Sequence, residues 1–225
     1  TAWCWGLHNA GQLGGDAFQS SSQPVVVLGL DGQVMGGIEE VDCGQGFACA
    51  LLDSGQVQCW GVDFSDELGN GFSQGKQHGP VQVNGQPLSG IVHIAAGNCV
   101  SCALDASGVI AHCWGCNNYG GKGGVGLEGV GALSAGYYGA CAVLDSGEAR
   151  CWGSNEKGLL GIGSQDTNTH ETPKPVVLNG LGQTLSGIVQ ISDGGSANHR
   201  CALLQDGTVW CWGGDESGAL GLDDT

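Results

Sequence analysis

The sequence predicts an all-β fold, a β-propeller of four-stranded antiparallel blades. A cysteine-flanked phrase recurs four times, as CALLDSGQVQCWG at 49–61, CALDASGVIAHCWG at 102–115, CAVLDSGEARCWG at 141–153 and CALLQDGTVWCWG at 201–213. The chain also holds 45 glycines and few stretches with helical periodicity, which is typical of short strands joined by many turns. Each period contains about four strand-like segments, and such meanders bury both faces only when they are stacked around an axis.

The first element of each repeat is a short strand that ends in glycine. These segments are IEEVDCG at 38–44, IVHIAAG at 91–97, VGALSAG at 130–136 and IVQISDG at 188–194. Each one precedes a copy of the recurring phrase by a few residues, so we expect it to be the first strand of the meander.

The recurring phrase predicts the second and third strands, a β-hairpin closed by a three-residue loop. In the first copy the loop is Asp53–Gly55, with glycine in the left-handed position that a bulged turn requires. This register places the two cysteines of a copy opposite each other, about 4.5–5.5 Å apart at Cα and within reach of a disulfide. We expect the disulfides Cys49–Cys59, Cys102–Cys113, Cys141–Cys151 and Cys201–Cys211; the alternative is free buried thiols that pack as small apolar side chains.

The residues after each hairpin predict a packing site, a turn and a fourth strand. The tryptophans that follow the second cysteines point to the other side of the sheet, where we expect them to pack between blades rather than to stack on a ligand; they are Trp60, Trp114, Trp152 and Trp212. A turn containing Leu-Gly follows in most repeats. Three linkers then carry proline before a valine-rich stretch, PVVVL, PVQV and PVVL, which predicts an outer or linking strand.

The repeats are unequal in length, with boundaries at 1–37 (partial), 38–90, 91–129, 130–187 and 188–225 (partial). The repeat at 91–129 has lost its Pro-Val segment, so we expect a trimmed blade there. Residues 1–18 match residues 208–225 at nine of eighteen positions, so both ends lie at the same phase of the repeat. We therefore expect residues 1–225 to form one propeller domain, or a fragment of one in a longer chain.

The order of these motifs resembles a known family of repeats. The pattern I-x-x-I-x-A-G, C-A-L-x-x-D-G-x-V-x-C-W-G, x-N-x-x-G-x-L-G, P-V-x-V is similar to the repeats of the regulator of chromosome condensation family of β-propellers, and most similar to bacterial extracellular versions with a cysteine pair around the hairpin. The resemblance covers essentially the whole chain and implies a larger propeller than the four or so repeats present, since members usually close with seven blades. Members have unrelated functions, so the resemblance implies a fold and not an activity.

The hairpin at 102–115 is flanked by two additional cysteines. Cys99 and Cys116 extend the register that pairs Cys102 with Cys113, which favours two adjacent disulfides. The two C-x-x-C spacings could also form a Cys4 zinc site, and Cys-Trp-Gly-Cys at 113–116 could be a thioredoxin-like redox motif. Cys4 and Cys43 have no evident partners in the sequence.

Charge and cysteine content narrow the functional classes. Twenty-two Asp and Glu face six Lys and Arg, a net charge of −16, so nucleic acid and anionic lipid surfaces are poor partners. No apolar run approaches the ~20 residues of a membrane helix, so we expect no membrane insertion. Twelve cysteines in a repeating pair spacing indicate an oxidising compartment: secreted, periplasmic or cell surface. We expect a protein partner, which includes the case of this chain as a subunit of a larger assembly. A glycan is another candidate ligand, and we expect no cofactor.

Two functions from different classes fit this description. The first is a secreted or cell-surface, non-catalytic propeller that serves as a protein-binding or structural module in an extracellular assembly. The alternative is a propeller enzyme, a lyase or hydrolase, with a site near the central channel. The sequence favours the first, because no acid, base or metal set converges in the variable loops. Nucleotide exchange on a small GTPase requires the cytosol or nucleus, which conflicts with the disulfide-linked hairpins.

One face of the predicted propeller is the candidate binding surface. The first and third connections of a four-stranded meander emerge on the same side, where the sequence places aromatic residues among acidic turns, a composition found at protein interfaces. Solvated turns without a partner are the other interpretation. The candidate binding residues are Phe47, Phe64, Tyr119, Tyr137, Tyr138 and His199.

Overall fold

The computed structural model describes residues 1–15, 19–71, 77–117, 120–136, 138–178, 182–194, 198–216 and 218–221. This part of the chain is β-structure joined by turns, with a single 3₁₀ turn at Glu156–Gly158. In the same residues there is no helix of the length and apolarity needed to cross a membrane.

The strands of the described residues form six antiparallel sheets; we call five of them blades 1 to 5, and the sixth is a small hairpin between blades 2 and 3. Blade 1 consists of β1 (Trp3–Gly6) and β2 (Ser21–Val26). Blade 2 consists of β3 (Ile38–Cys43), β4 (Phe47–Leu52), β5 (Val57–Gly61) and β6 (Gln77–Pro80), and a small hairpin of β7 (Gln82–Val83) and β8 (Gln86–Pro87) follows it.

The remaining three blades are antiparallel sheets of three or four consecutive strands. Blade 3 consists of β9 (Ile91–Ala96), β10 (Val100–Asp105) and β11 (Ile110–Gly115). Blade 4 consists of β12 (Val130–Gly136), β13 (Gly139–Leu144), β14 (Ala149–Ser154) and β15 (Thr169–Pro175), and blade 5 of β16 (Ile188–Asp193), β17 (His199–Leu204) and β18 (Val209–Gly213). The described residues of blade 3 form three strands, in agreement with the trimmed blade that the short repeat predicts.

The hairpins have the predicted register. Cys49 lies opposite Cys59, and the three other hairpin pairs face each other in the same way. The four pairs form disulfides with Cα atoms 4.1 Å apart. Gly55 closes the first loop at φ +74°, where its N–H donates to the carbonyl of Leu52 over 2.8 Å. The hairpin of blade 3 has one more residue between Cys102 and Cys113, and a bulge beside Ala103 absorbs it.

The extra cysteines of blade 3 also form a disulfide. Cys99 pairs with Cys116 immediately beyond the ends of β10 and β11, with Cα atoms 5.5 Å apart. Disulfide bonding occupies all four sulfurs that the zinc and thioredoxin-like interpretations require. Cys4 and Cys43 are free thiols.

The fourth strands differ from the Pro-Val prediction. Strands β6 and β15 end at Pro80 and Pro175, so polar residues before the proline form most of each strand. Proline has no N–H and ends the ladder there. The valines that follow, Val81 and Val176, are buried, and their N–H groups donate to the carbonyls of Val57 and Ala149. Only β2 extends through its proline, Pro24, into valine.

The hydrophobic core lies between neighbouring blades. Phe47, Cys49 and Leu51 of blade 2 share one cluster with Ile91 and Trp114 of blade 3, and the other interfaces are built in the same way. The prediction that the hairpin tryptophans pack between blades is confirmed at Trp60, Trp114 and Trp152, which are fully buried, while Trp212 is partly buried.

Candidate functional site

The loops at one end of the strands form a surface that we call the turn face. It contains the described residues of the connection after the first strand of each blade, at 44–46, 97–99, 138, 194 and 198. It also contains those of the turn after the third strand, at 7–15, 62–71, 116–117, 120–124, 155–168, 214–216 and 218–221. The hairpin loops at 53–55, 106–108, 145–147 and 205–207 lie on the opposite face, because successive strands of a meander reverse direction.

The turn after each third strand repeats one local structure. A side chain at the start of the turn, its first or second residue, accepts a hydrogen bond from the backbone N–H five residues later, which closes the turn. The pairs are His8 Nδ1 with Leu13 at 2.9 Å, Asp63 with Leu68 at 3.3 Å, Asn117 with Lys122 at 3.3 Å, Asn155 with Leu160 at 3.3 Å and Asp215 with Leu220 at 2.8 Å. The acceptor and the donor occupy the Asn and Leu positions of the sequence pattern x-N-x-x-G-x-L-G, but three different residue types supply the acceptor, so the pattern alone does not reveal the hydrogen bond.

The same turns hold the blades together. Each hairpin tryptophan donates its indole N–H to a backbone carbonyl in the turn of the preceding blade, four residues after the side chain that closes that turn. The pairs are Trp60 with Gln12 at 3.0 Å, Trp114 with Glu67 at 3.0 Å, Trp152 with Gly121 at 3.1 Å and Trp212 with Leu159 at 3.0 Å. Glycine in the turn lets the ring approach the backbone: a Cβ on Gly69 would lie 2.7 Å from Trp114 Cδ1.

The turn at 62–71 presents an exposed aromatic side chain. Phe64 is 78% exposed, the most exposed large apolar side chain of the described residues. Around it the N–H of Ser65 donates to Glu67 Oε2 at 2.6 Å, and the N–H of Gly71 donates to Asp66 Oδ1 at 3.2 Å. Lys122 of blade 3 lies 3.4 Å from Asp66 Oδ2, which ties the turn to the next blade.

Asp63, in the same turn, has a carboxyl group with a raised pKa. Its side chain is buried, and burial raises the pKa of the carboxyl to about 6, with the nearby carboxylates of Glu67 and Asp66 acting in the same direction. The hydrogen bond from the N–H of Leu68 opposes the shift.

The predicted binding residues have different environments. Phe64 is exposed on the turn face, His199 is partly exposed at the start of β17, and Tyr138 is partly buried against the core between blades 3 and 4. Tyr119 and Tyr137 lie outside the described residues.

The prediction of Phe47 as a surface contact is wrong. Phe47 is 2% exposed and packs in the core between blades 2 and 3. It is the first residue of β4 and shares its side of the strand with Cys49 and Leu51, both also buried. Strand alternation therefore directs its ring into the blade interface rather than toward the turn face.

The inner strands form a second polar region, a groove of about 410 Å³ beside the axis. Glu40 Oε1 lies 2.7 Å from His93 Nδ1, and the N–H groups of Ile94 and Ala96 donate to Glu40 and Asp42 over 3.0 and 2.7 Å. The Glu40 hydrogen bond raises the pKa of His93 above its ordinary value. Ser134 accepts the N–H of Asp193 in the same way at 3.0 Å. These side chains connect the first strand of one blade to the first strand of the next.

Blade 5 adds a buried ion pair that is specific to it. Asp193 and Arg200 face each other on β16 and β17 and form an ion pair, and Arg200 Nη1 donates to the carbonyl of Leu159 at 2.9 Å. In blade 4 the same facing positions hold Ala135 and Ala140. The arginine therefore reaches the same backbone carbonyl of blade 4 that accepts the Trp212 indole N–H.

The chain is similar in sequence to RCC1 repeats and to proteins that contain them. Sequence models of the Regulator of chromosome condensation (RCC1) repeat match residues 1–51 and 146–202, and residues 38–66, 132–159 and 188–219. The human probable E3 ubiquitin-protein ligase HERC6 is 27% identical over 98% of this chain, and the Arabidopsis thaliana ultraviolet-B receptor UVR8 is 29% identical over 82%. The chain spans 22% and 43% of the lengths of these two relatives.

Solved structures show the same fold. Human WBSCR16 superposes with a TM-score of 0.72 at 21% identity, over 97% of this chain and 58% of its own. Yeast RCC1 (Prp20) in its structure with Kap60 bound superposes with a TM-score of 0.77 at 16% identity, over 99% of this chain and 54% of its own. The all-β propeller fold predicted from the repeats is therefore confirmed, and the chain belongs to the RCC1 repeat family.

Proposed function

We propose that this chain is a non-catalytic, protein-binding β-propeller module, and that its partner contacts the turn face around Phe64. The observation that carries the proposal is the exposure of Phe64 on a turn whose conformation is fixed by side-chain hydrogen bonds and by Lys122 of the next blade. A turn whose backbone is already ordered loses little conformational entropy when its side chains bind, and aromatic residues dominate the binding energy of protein interfaces.

Charge supports a basic partner. The chain carries a net charge of −16, and the turn that presents Phe64 contains Asp63, Asp66 and Glu67 within five residues. Opposite charge on a partner would speed its association and set its orientation, and screening by salt would weaken the complex.

Similar proteins with named partners support the binding role. One solved structure contains yeast RCC1 with Kap60 bound, and another is described with the binding properties of Prp20p to Gsp1p and histones. These two structures share the fold with this chain at low sequence identity, so their partners do not identify the partner of this chain.

The cysteine pairing supports an oxidising compartment. Ten of the twelve cysteines form disulfides across strands, and such bonds persist in secreted, periplasmic and cell-surface proteins. Trapping the thiols of the native protein with an alkylating agent at the moment of extraction tests this. The proposal requires two alkylated cysteines per chain, whereas twelve would place the protein in a reducing compartment.

Capture experiments with matched variants test the binding role. The disulfide-intact chain, Phe64→Ser and Val34→Ser are immobilised at equal density, and the bound proteins are compared by quantitative mass spectrometry. Val34 is also exposed, at 50%, but lies outside the turn face. We expect Phe64→Ser to lower capture of the partner about 30-fold, which corresponds to an interface contribution of ~2 kcal/mol, and Val34→Ser to bind like the wild type. Equal loss in both variants, or no loss in either, would refute the assignment of the surface.

A further inference from the structure

The linker between blades 2 and 3 carries an Asn-Gly pair at the tip of a small hairpin. The short strands β7 and β8 pair with each other alone, and Asn84 and Gly85 form the loop between them. Asn84 has a φ of +53° and Gly85 a φ of +75°, as the central residues of a type I′ turn require. Both residues are exposed, so water reaches the tip of the hairpin.

The reactive groups of this pair are accessible to each other. In the described part of the chain no hydrogen bond holds the Asn84 side-chain amide or the Gly85 N–H. A Cβ on Gly85 would meet no atom within 4 Å, so nothing crowds the backbone at that position. A two-stranded hairpin is marginally stable in water, so the turn opens at little cost. Opening lets the Gly85 nitrogen approach the side-chain carbonyl carbon of Asn84.

A second Asn-Gly pair of the described residues has the opposite environment. Asn70 is 6% exposed at the end of the turn 62–71, and the N–H of Gly71 donates to Asp66 Oδ1 at 3.2 Å. The nitrogen of Gly71 must lose this hydrogen bond, and the turn must open, before the nitrogen can react. The third Asn-Gly pair of the sequence, at 179–180, lies outside the described residues.

We propose that Asn84 is a site of spontaneous covalent modification, where conversion of the asparagine to isoaspartate opens the linker hairpin. The backbone nitrogen of Gly85 loses its proton to base and attacks the side-chain carbonyl carbon of Asn84. The new C–N bond closes a cyclic succinimide as the side-chain nitrogen takes up a proton and leaves as ammonia. Water then adds to either carbonyl carbon of the ring, which opens to aspartate or isoaspartate. No electrons are exchanged, and water is the only co-reactant.

Isoaspartate changes the linker because its main chain continues through the former side chain. The added methylene lengthens the loop, and the lengthened loop no longer forms the type I′ turn that joins β7 to β8. Val83 of β7 and Leu88, which follows β8, pack on the core between blades 2 and 3. The N–H of Leu88 also donates to the carbonyl of Val81 at 2.8 Å. The core contacts therefore remain on both sides of a loosened hairpin.

Ageing of the full, disulfide-intact chain at mildly alkaline pH tests the proposal, which does not depend on the proposed function. Tandem mass spectrometry follows the conversion at each asparagine, and labelling by a protein L-isoaspartate methyltransferase identifies isoaspartate. We expect Asn84 to convert at least about tenfold faster than Asn70 in the folded chain, because Asn70 reacts only after its turn opens. In the reduced chain unfolded in guanidinium chloride the two rates should become nearly equal, since glycine follows both asparagines.

Hydrogen exchange separates the effect of the longer main chain from that of the new charge. Asn84→Asp is the matched control, because it carries the new carboxylate on an ordinary main chain. We expect residues 82–87 to exchange faster in the aged chain than in this variant. Three results would each overturn the proposal: equal conversion of Asn84 and Asn70 in the folded chain, a rate difference that persists after unfolding, or equal exchange at 82–87 in the aged chain and in Asn84→Asp.

Discussion

Replacing Trp152 with phenylalanine tests the joint between blades. The Trp152 side chain is 0% exposed, and its indole N–H donates to the carbonyl of Gly121 in blade 3 at 3.1 Å. The ring packs so closely on the turn that a Cβ on Gly124 would lie 2.8 Å from Trp152 Cε2. Phenylalanine leaves the carbonyl without its donor, which costs ~1–3 kcal/mol, and the smaller ring leaves a cavity worth roughly 1 kcal/mol more. We expect a loss of about 2–4 kcal/mol.

Urea unfolding followed by far-ultraviolet circular dichroism measures this loss without relying on tryptophan emission. Trp5→Phe is the matched control, because Trp5 has the same place in the motif and is 64% exposed. We expect the control to stay within about 0.5 kcal/mol of the wild type. If Trp152→Phe unfolds at the same urea concentration as Trp5→Phe, the indole joints do not hold the blades together and the reasoning is refuted.

Three further predictions concern stability. Because the pKa of Asp63 is raised to about 6, its contribution is fully present below the ordinary value of 3.8 and is lost as the pH rises through about 6; Asp63→Asn should flatten this part of the urea-midpoint profile, and an unchanged slope would contradict the burial argument. The raised pKa of His93 implies that its pair with Glu40 stabilises the fold below the ordinary value of 6.5 and that this contribution is lost as the pH rises through the folded-state value, so Glu40→Gln should cost more stability at pH ~5.5 than at ~8.5 in the same assay; equal costs would argue against the pair. Removal of one disulfide by the double substitution Cys141→Ala and Cys151→Ala should lower the free energy of unfolding by about 2–3 kcal/mol for a loop of this length. An unchanged melting temperature in calorimetry would exclude this contribution.

The sequence predicts the local elements of this fold well. A hairpin register depends on residues about ten positions apart, so the spacing of Cys49 and Cys59 was sufficient to place them opposite each other. The short length of the third repeat, 91–129, likewise predicts the trimmed blade 3. Phe47 was misjudged, although strand alternation from Cys49 would have placed it in the core.

Contacts between blades were harder to predict. The Trp60 indole and the Gln12 carbonyl are 48 residues apart, and a backbone acceptor leaves no side-chain signature in the sequence. The ion pair of Asp193 and Arg200 did leave a signal, since both residues depart from the alanines of blade 4 at facing positions. Recognising it requires the register between the first and second strands of a blade. The cysteine spacing predicts only the register between the second and third strands.

The central claim is that a partner binds the turn face around Phe64. Hydrogen-exchange mass spectrometry of the captured complex, compared with the chain alone, tests it most directly. The account predicts slower exchange at 62–71, with no change at the opposite hairpin loops 53–55, 145–147 and 205–207. Protection of those opposite loops, with none around Phe64, would contradict it.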